Sequence, residues 1–287
     1  MVALAHAAHH KSSLPDVLEV GQRPESIVKG FDGDFFVTVM NGKEAGDGVI
    51  KRVHGSAVTV FATGFDEPKG ICFVGGLLVT TDLDKVKTID ANGKVAILAN
   101  KDDFPKAVSY LNDAAAGPDG KSVYIADMGA NTKMHGPNGK LWPLGGEVAA
   151  DFPTIGRVYR IGLDGKVTIA IDANSLMPCP NGVGVGKDGQ LLVGGFFTGN
   201  FIEQRDGELD VIADSFRGAD AVEQDAEGYY YVSSWKQGRA WRVAPDGMSS
   251  VVVIDGLKSA ADFYLDEPNR RLLVPDMLAG TVSVATY

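Results

Sequence analysis

The stretch that decides the fold is residues 111–127, LNDAAAGPDGKSVYIAD. Apolar runs flank its Pro-Asp-Gly turn, and Asp-Gly pairs accept the positive φ angles that tight hairpins need. Related phrases recur along the chain and begin at Pro24, Pro68, Leu111, Pro180, Ala219 and Ala261. Repeats spaced about forty residues apart, each with four short predicted strands, are typical of propellers. The sequence therefore predicts an all-β, six-bladed β-propeller with four-stranded blades.

The two ends of the chain are predicted to share one blade. The last repeat stops at Tyr287 after three predicted strands, whereas residues 15–20 precede the first repeat. An N-terminal strand that completes the final blade would close the ring and remove its exposed edges. We expect residues 14–287 to form one propeller domain. Residues 1–13, MVALAHAAHHKSS, are interpreted as a tail or a signal remnant.

Composition excludes several classes of function. The net charge of −10 disfavours nucleic acid or an anionic membrane as the main partner, because both prefer a basic surface. No stretch approaches the ~20 apolar residues of a membrane span. We expect a soluble protein with a small-molecule substrate, cytoplasmic, or periplasmic or secreted if the N-terminus is a signal remnant. The oligomeric state stays open.

One position of the repeat, here called the slot, carries a polar residue in every copy. The slot residues are Glu25, Lys69, Asn112, Asn181, Asp220 and Asp262. Because the last copy has the longer turn DEPNRR, Asp262 is the slot that a shift of one residue could displace. In a closed ring, one slot per blade converges on the central axis. The slots therefore form a candidate site.

The chemistry of the slots favours a hard cation. Glu25, Asn112, Asn181 and Asp220 offer carboxylate and amide oxygens, which is the ligand set of Ca²⁺. Crowded carboxylates opposed only by Lys69 would raise one another's pKa values unless a cation balanced them. The alternative is a wet channel mouth that holds only ordered water, with Lys69 paired to Glu25.

The loops at the slot end of the propeller supply candidate substrate contacts. Residues 130–155 form an insertion between the second and third strands of blade three, and strand parity places it over the slots. Long ordered loops are often functional, although packing on the rim is an equal alternative. The candidates on these loops are Asp82, Asp127, His135, Trp142 and Trp235, with Asp262 from the slots.

These phrases resemble the six-bladed propellers of the gluconolactonase, regucalcin and luciferin-regenerating-enzyme superfamily. The matching segments are those around Glu25, Asn112, Asn181 and Asp220, and the repeat covers residues 24–287. The resemblance implies a calcium-type site with Glu25, Asn181 and Asp220 as metal ligands and Asn112 as a ligand or a substrate-positioning residue. The residues after Glu25 and Asp220 depart from the usual pattern, which puts sugar-lactone specificity in question.

The resemblance implies a metal-dependent hydrolase of a lactone or related ester. The metal would act as a Lewis acid, Asp220, or alternatively Glu25, would activate water, and Lys69 would assist the leaving oxygen. Two alternatives stay open. One is a propeller that only binds a small molecule or protein, and the other is a lyase, isomerase or condensing enzyme, as kinship with strictosidine synthase allows.

Overall fold

A computed structural model describes residues 14–42, 44–130, 134–138, 140, 142–143 and 146–287. The interpretation of residues 1–13 as a tail or signal remnant lies outside this range. The strands form six four-stranded antiparallel sheets, which confirms the predicted six-bladed propeller. Blades one and two comprise β2 (Pro24–Lys29), β3 (Phe35–Val39), β4 (Gly48–His54), β5 (Ala57–Phe65), β6 (Pro68–Val74), β7 (Leu77–Asp82), β8 (Lys85–Ile89) and β9 (Val95–Ala99).

The remaining four blades follow in chain order. Blades three and four comprise β10 (Leu111–Ala116), β11 (Ser122–Asp127), β12 (Arg157–Gly162), β13 (Val167–Ile171), β14 (Pro180–Val185), β15 (Leu191–Gly195), β16 (Phe201–Arg205) and β17 (Glu208–Ala213). Blade five comprises β18 (Ala219–Gln224), β19 (Tyr230–Ser234), β20 (Arg239–Val243) and β21 (Ser250–Ile254). Blade six comprises β22 (Tyr264–Asp266), β23 (Arg271–Asp276), β24 (Thr281–Thr286) and β1 (Val17–Glu19).

The N-terminal strand closes the ring, as predicted. Strand β1 pairs antiparallel with β24, with Val17 opposite Ser283 and Glu19 opposite Thr281. This pairing joins the two ends of the chain within one sheet and covers the edge of β24 that would otherwise be free.

Apolar side chains between neighbouring sheets hold the blades together. Between blades one and two, Phe36 and Ile50 pack with Leu78 and Ile89, and all four are fully buried. Burial of one such side chain stabilises the fold by about 1.5–3 kcal/mol. Short 3-10 helices lie at Phe31–Gly33, Lys101–Asp103, Glu147–Ala149, Phe152–Thr154 and Glu267–Asn269. Among the described residues, no helix is long and apolar enough to cross a membrane.

A β-bulge at the slot directs side chains into the central channel. The pairing of the first and second strands shifts register at the slot in blades one to five. The amide after the bulged slot is satisfied locally: Ser26 N donates to Thr38 Oγ1 at 2.9 Å, and Ala221 N donates to Ser233 Oγ at 3.0 Å. A bulge leaves two successive residues without a regular cross-strand partner, so the slot and the residue after it are both free to face the channel.

Candidate active site in the central channel

Five slot residues come together at one end of the channel. This set, called the channel ring, consists of Glu25, Lys69, Asn112, Asn181 and Asp220, and each is at most 5% exposed. Asn112 Nδ2 donates a hydrogen bond to Asn181 Oδ1, and Asn181 Nδ2 donates to the carbonyl of Ala219 at 3.3 Å. Side chains from blades three and four are thereby connected to the start of blade five.

The sixth slot is not Asp262, and this corrects the prediction by one residue. In blade one the residue before the slot, Pro24, pairs with the last residue of the second strand, Val39. In blade six the equivalent bridge joins Ala260 to Asp276, so Ala261 occupies the slot. The turn between β22 and β23 contains a 3-10 helix and is longer than an Asp-Gly turn. The prediction located each slot by its distance from the following turn, so the longer turn displaces the slot by one residue.

Asp262 instead belongs to a second layer, one residue further along the first strands. It accepts a hydrogen bond from Ser26 Oγ, which itself accepts one from Ile71 N at 3.2 Å. In the same layer, Asp113 Oδ2 accepts from Val183 N at 2.7 Å and so joins blade three to blade four. A cavity of about 290 Å³ beneath the ring is lined by both carboxyl groups.

The channel concentrates acidic side chains in a buried space. Burial raises the pKa of Glu25 to about 8; Lys69 opposes this shift and Asp113 adds to it. The pKa of Asp220 also lies well above its ordinary value, because of burial first and then the charges of Glu25 and Asp113. Burial would lower the pKa of Lys69, but Tyr110 and Glu25 outweigh it and raise the pKa, so Lys69 stays an ammonium.

Two oxygens of the channel ring have no hydrogen-bond partner although they are buried. They are Glu25 Oε2 and Asn112 Oδ1. Unpaired buried oxygens are costly, and they are rare unless a water, ion or ligand satisfies them. Because a carboxylate accepts on two oxygens and an amide oxygen has two lone pairs, Asp220 and Asn181 add further acceptor capacity. The donor set therefore fits a hard divalent cation.

The amide oxygens are essential to such a site. Within the described ranges, no group of three or more His, Cys, Asp and Glu side chains is arranged to hold a metal. A cation at the ring would therefore need Asn112 and Asn181 beside Glu25 and Asp220.

The ammonium of Lys69 is held by two neighbours in the channel. The Nζ of Lys69 lies 4.8 Å from the centroid of the Tyr110 ring and donates to Met40 Sδ at 3.4 Å.

Two predicted substrate contacts have a different role. Asp82 is fully buried, and its carboxylate accepts from the amides of Asp66 and Glu67 at 2.7–3.2 Å and from Lys87 Nζ at 2.6 Å. Asp127 is also fully buried, and its Oδ1 accepts from Tyr110 N at 3.1 Å. These acids end the second strand of their blades and fix the segment that leads into the first strand, although Asp127 Oδ2 has no hydrogen-bond partner.

The other predicted contacts lie around an apolar layer above the ring. His135 is exposed and lies 3.2 Å from Lys236 Nζ; partial burial and that lysine lower its pKa. Trp142 and Trp235 are partly buried against this layer. The layer, called the roof cluster, consists of Tyr110, Met128, Ala130, Met134, Ala149, Phe152, Cys179, Phe196 and Phe197. Described residues of the insertion, among them Met134 and Phe152, are part of it.

Sequence reasoning missed Asp113 and Tyr110. Asp113 has a recognisable signal, because the residue after the slot is small in the other four bulged blades, namely Ser26, Gly70, Gly182 and Ala221. An added Cβ at Gly182 would lie 1.8 Å from the carbonyl oxygen of Asp220, which shows how close the neighbouring strands approach here. No comparable sequence signal marks Tyr110, because its role depends on a contact with Lys69, which belongs to a different blade.

Solved structures of similar fold include lactonases and a calcium-binding protein. A gluconolactonase from Xanthomonas campestris superimposes with a TM-score of 0.72 and 19% identity, over 98% of this chain and 93% of that chain. A putative gluconolactonase gives a TM-score of 0.68 and 16% identity, over 96% of both chains. A calcium-binding protein, regucalcin, from Agrobacterium tumefaciens gives 0.62 and 19%, over 90% of this chain and 82% of that chain.

These likenesses establish the fold. No protein-family model matches the chain, and no curated protein matches it significantly. The chain has the six-bladed propeller fold that gluconolactonases and regucalcin share, with a buried ring of oxygen donors at one end of its channel.

Proposed function

We propose that the chain is a metal-dependent hydrolase that opens a lactone or cleaves a related ester at the channel ring. The observation that carries this proposal is the pair of unpartnered buried oxygens, Glu25 Oε2 and Asn112 Oδ1, in a ring of oxygen donors. In contrast, both carboxylate oxygens of the buried Asp82 accept hydrogen bonds from protein donors. The likeness to gluconolactonase structures supports the same reaction class.

Glu25, Asn112, Asn181 and Asp220 are the residues that would hold the metal. When bound, a divalent cation, in our proposal Ca²⁺, supplies the positive charge that polarises a substrate carbonyl oxygen. Regucalcin, which has a similar fold, is a calcium-binding protein, and this supports the choice of cation.

Two residues of the ring would move protons. Asp220 is the proposed general base that accepts a proton from the attacking water. Lys69 is the proposed general acid: its ammonium, held in the charged form beside Glu25 and Tyr110, would donate a proton to the leaving alkoxide. Both groups are fixed by packing, since Lys69 is 4% and Asp220 4% exposed. A general acid and a general base each contribute about 10²–10⁴-fold to a rate.

Metal content and chelator sensitivity test the proposal. Purified protein should contain a divalent metal, and its hydrolysis of lactones and aryl esters should be lost with chelator and restored by Ca²⁺. Asn181→Ala should lose metal binding and at least about 100-fold in turnover. The matched control is Asn92→Ala, which removes an exposed turn amide between β8 and β9 and should change neither. Undiminished hydrolysis by metal-free protein would refute the proposal.

The products of the same panel separate hydrolysis from the alternative chemistries. Hydrolysis in H₂¹⁸O adds one water and places ¹⁸O in the product, whereas elimination or isomerisation adds none. A protein that binds panel compounds without converting them would instead be a binding propeller. Mass spectrometry of the products decides between these three outcomes.

A further inference from the structure

A second six-fold position in the repeat surrounds the channel ring with apolar side chains. It is the residue directly after the second strand of each blade. This set, called the collar, consists of Met40, Leu83, Met128, Phe196, Trp235 and Met277. Because the loops between second and third strands open at the slot end, the collar surrounds the mouth of the ring. All six members are large and apolar. The residues directly before them, at the ends of the second strands, are of mixed character: Val, Gly, Ser or Asp.

The collar touches the ring directly. Lys69 Nζ donates to Met40 Sδ at 3.4 Å, and Asn112 Nδ2 lies 3.9 Å from Met128 Sδ. A substrate whose carbonyl reaches the ring would therefore have its remaining atoms against thioether and hydrocarbon surfaces. Methionine adapts its shape to irregular apolar ligands because its side chain is unbranched and its sulfur is polarisable.

The collar has a closed side and an open side. Met40, Met128 and Phe196 are 0%, 2% and 6% exposed, whereas Leu83, Trp235 and Met277 are partly exposed. Trp235 Nε1 donates to Met277 Sδ at 3.0 Å, so the indole is held along the open side. Solvent therefore reaches the collar on the side of Leu83, Trp235 and Met277.

Two charged side chains next to the collar, Arg23 and Glu67, are engaged with each other and with their neighbours. Arg23 donates to the carbonyl of Gly42 at 2.6 Å and lies 3.6 Å from Glu67. Glu67 in turn accepts from the Tyr110 hydroxyl at 3.3 Å. Hydroxyl groups of a sugar lactone that face the apolar side chains of the collar would lose their water partners, which is unfavourable.

We propose that the collar makes this site selective for lactones or esters with apolar alkyl or aryl substituents, rather than for polyhydroxylated sugar lactones. This inference rests on the proposed hydrolase function and names its substrate class. Each methylene group that enters the collar should raise kcat/KM about fourfold, until the open side is filled.

A chain-length series tests the inference. γ-Lactones with side chains from methyl to heptyl are compared with glucono-δ-lactone on the Ca²⁺-loaded protein. We expect kcat/KM to rise with side-chain length and to exceed that for glucono-δ-lactone at least about 100-fold for the longer members. Equal or faster hydrolysis of glucono-δ-lactone overturns the substrate class and leaves the hydrolase intact. Failure to hydrolyse any lactone or ester overturns the proposed function, and this inference with it.

Two identical substitutions locate the effect. Met277→Gln places a polar amide in the collar at nearly the same volume, and it should lower kcat/KM by a factor that grows with side-chain length, reaching about tenfold for heptyl. Met248→Gln is the matched control, because Met248 is 87% exposed in the turn between β20 and β21 and should leave the series unchanged. An equal decrease for every chain length in Met277→Gln would contradict a role of the collar in selectivity.

Discussion

Two sets of buried polar residues recur around this propeller, and they differ in how their hydrogen-bonding capacity is used. Asp82, at the end of a second strand, accepts from two backbone amides and from Lys87. Glu25, in the channel ring, is also buried, yet its Oε2 has no partner. Recurrence and burial therefore do not separate scaffold from site. The unpaired oxygen distinguishes Glu25 from Asp82, because such a cost is tolerated best where something else can satisfy the atom. An unpaired oxygen alone does not define a site, since Asp127 Oδ2 is buried and unpaired as well.

The strand-end acids are part of the scaffold in three blades. Asp276 repeats the arrangement of Asp82, since it accepts from Lys258 N at 2.8 Å and from Ser259 N at 3.1 Å. Asp127 does the same in blade three. Each of these acids ties the segment before a first strand to the end of the second strand, and so fixes the position of the bulge that presents the ring.

The largest effect is expected from removing a strand-end acid. Asp82→Ala leaves two amides without their acceptor and removes the carboxylate that pairs with Lys87, whose ammonium keeps only the carbonyl of Gly64. It should lower the free energy of unfolding by about 3–5 kcal/mol. Urea denaturation followed by circular dichroism measures this change. Asp210→Ala, on the exposed face of β17, is the control and should stay within about 0.5 kcal/mol. A loss as small as that of the control would remove the distinction between the two sets.

A ring acid should behave in the opposite way. Glu25→Gln removes a buried, unpaired carboxyl group, so the metal-free protein should keep its stability or gain about 1–3 kcal/mol. The same change should weaken binding of Ca²⁺ at least about tenfold, since a charged ligand is lost. Urea denaturation in chelator and isothermal titration with Ca²⁺ provide the two readouts. Destabilisation of the metal-free variant would mean that Glu25 serves the scaffold.

The blades could be predicted from sequence because they depend on local signals. Asp-Gly turns and short apolar runs define hairpins within a few residues of each other, and closure by residues 15–20 follows from an incomplete last blade. The difference between Asp82 and Glu25 could not be predicted, because it depends on amides that lie elsewhere in the chain. Asp262 was misplaced for a geometrical reason, since one longer turn shifts the register of the bulge.

Lys69 offers a sharper test of the ring. Its ammonium lies in the same buried space as Glu25 and Asp220, where it opposes a second cation. Lys69→Met should therefore tighten Ca²⁺ binding about tenfold, or about 1.4 kcal/mol, while it slows turnover through loss of the proton donor. Isothermal titration and steady-state kinetics on one preparation measure both. Unchanged turnover would mean that Lys69 packs in the channel but donates no proton. Weaker Ca²⁺ binding would mean that its charge does not oppose the metal.

The smallest effect is expected at the residue that connects the two sets. The backbone N of Tyr110 donates to Asp127, and its ring faces the Lys69 ammonium at 4.8 Å. Tyr110→Phe keeps both contacts and loses the hydroxyl group, which bonds Glu67 and interacts with Lys69, so the free energy of unfolding should fall by about 0.5–1.5 kcal/mol with a small change in turnover. Tyr110→Leu also removes the aromatic face, worth about 0.5–2 kcal/mol to a cation, and should alter kcat in addition. If Phe and Leu affect kcat equally, the hydroxyl group rather than the ring positions Lys69. The scaffold and the site would then be joined through the Tyr110 hydroxyl group.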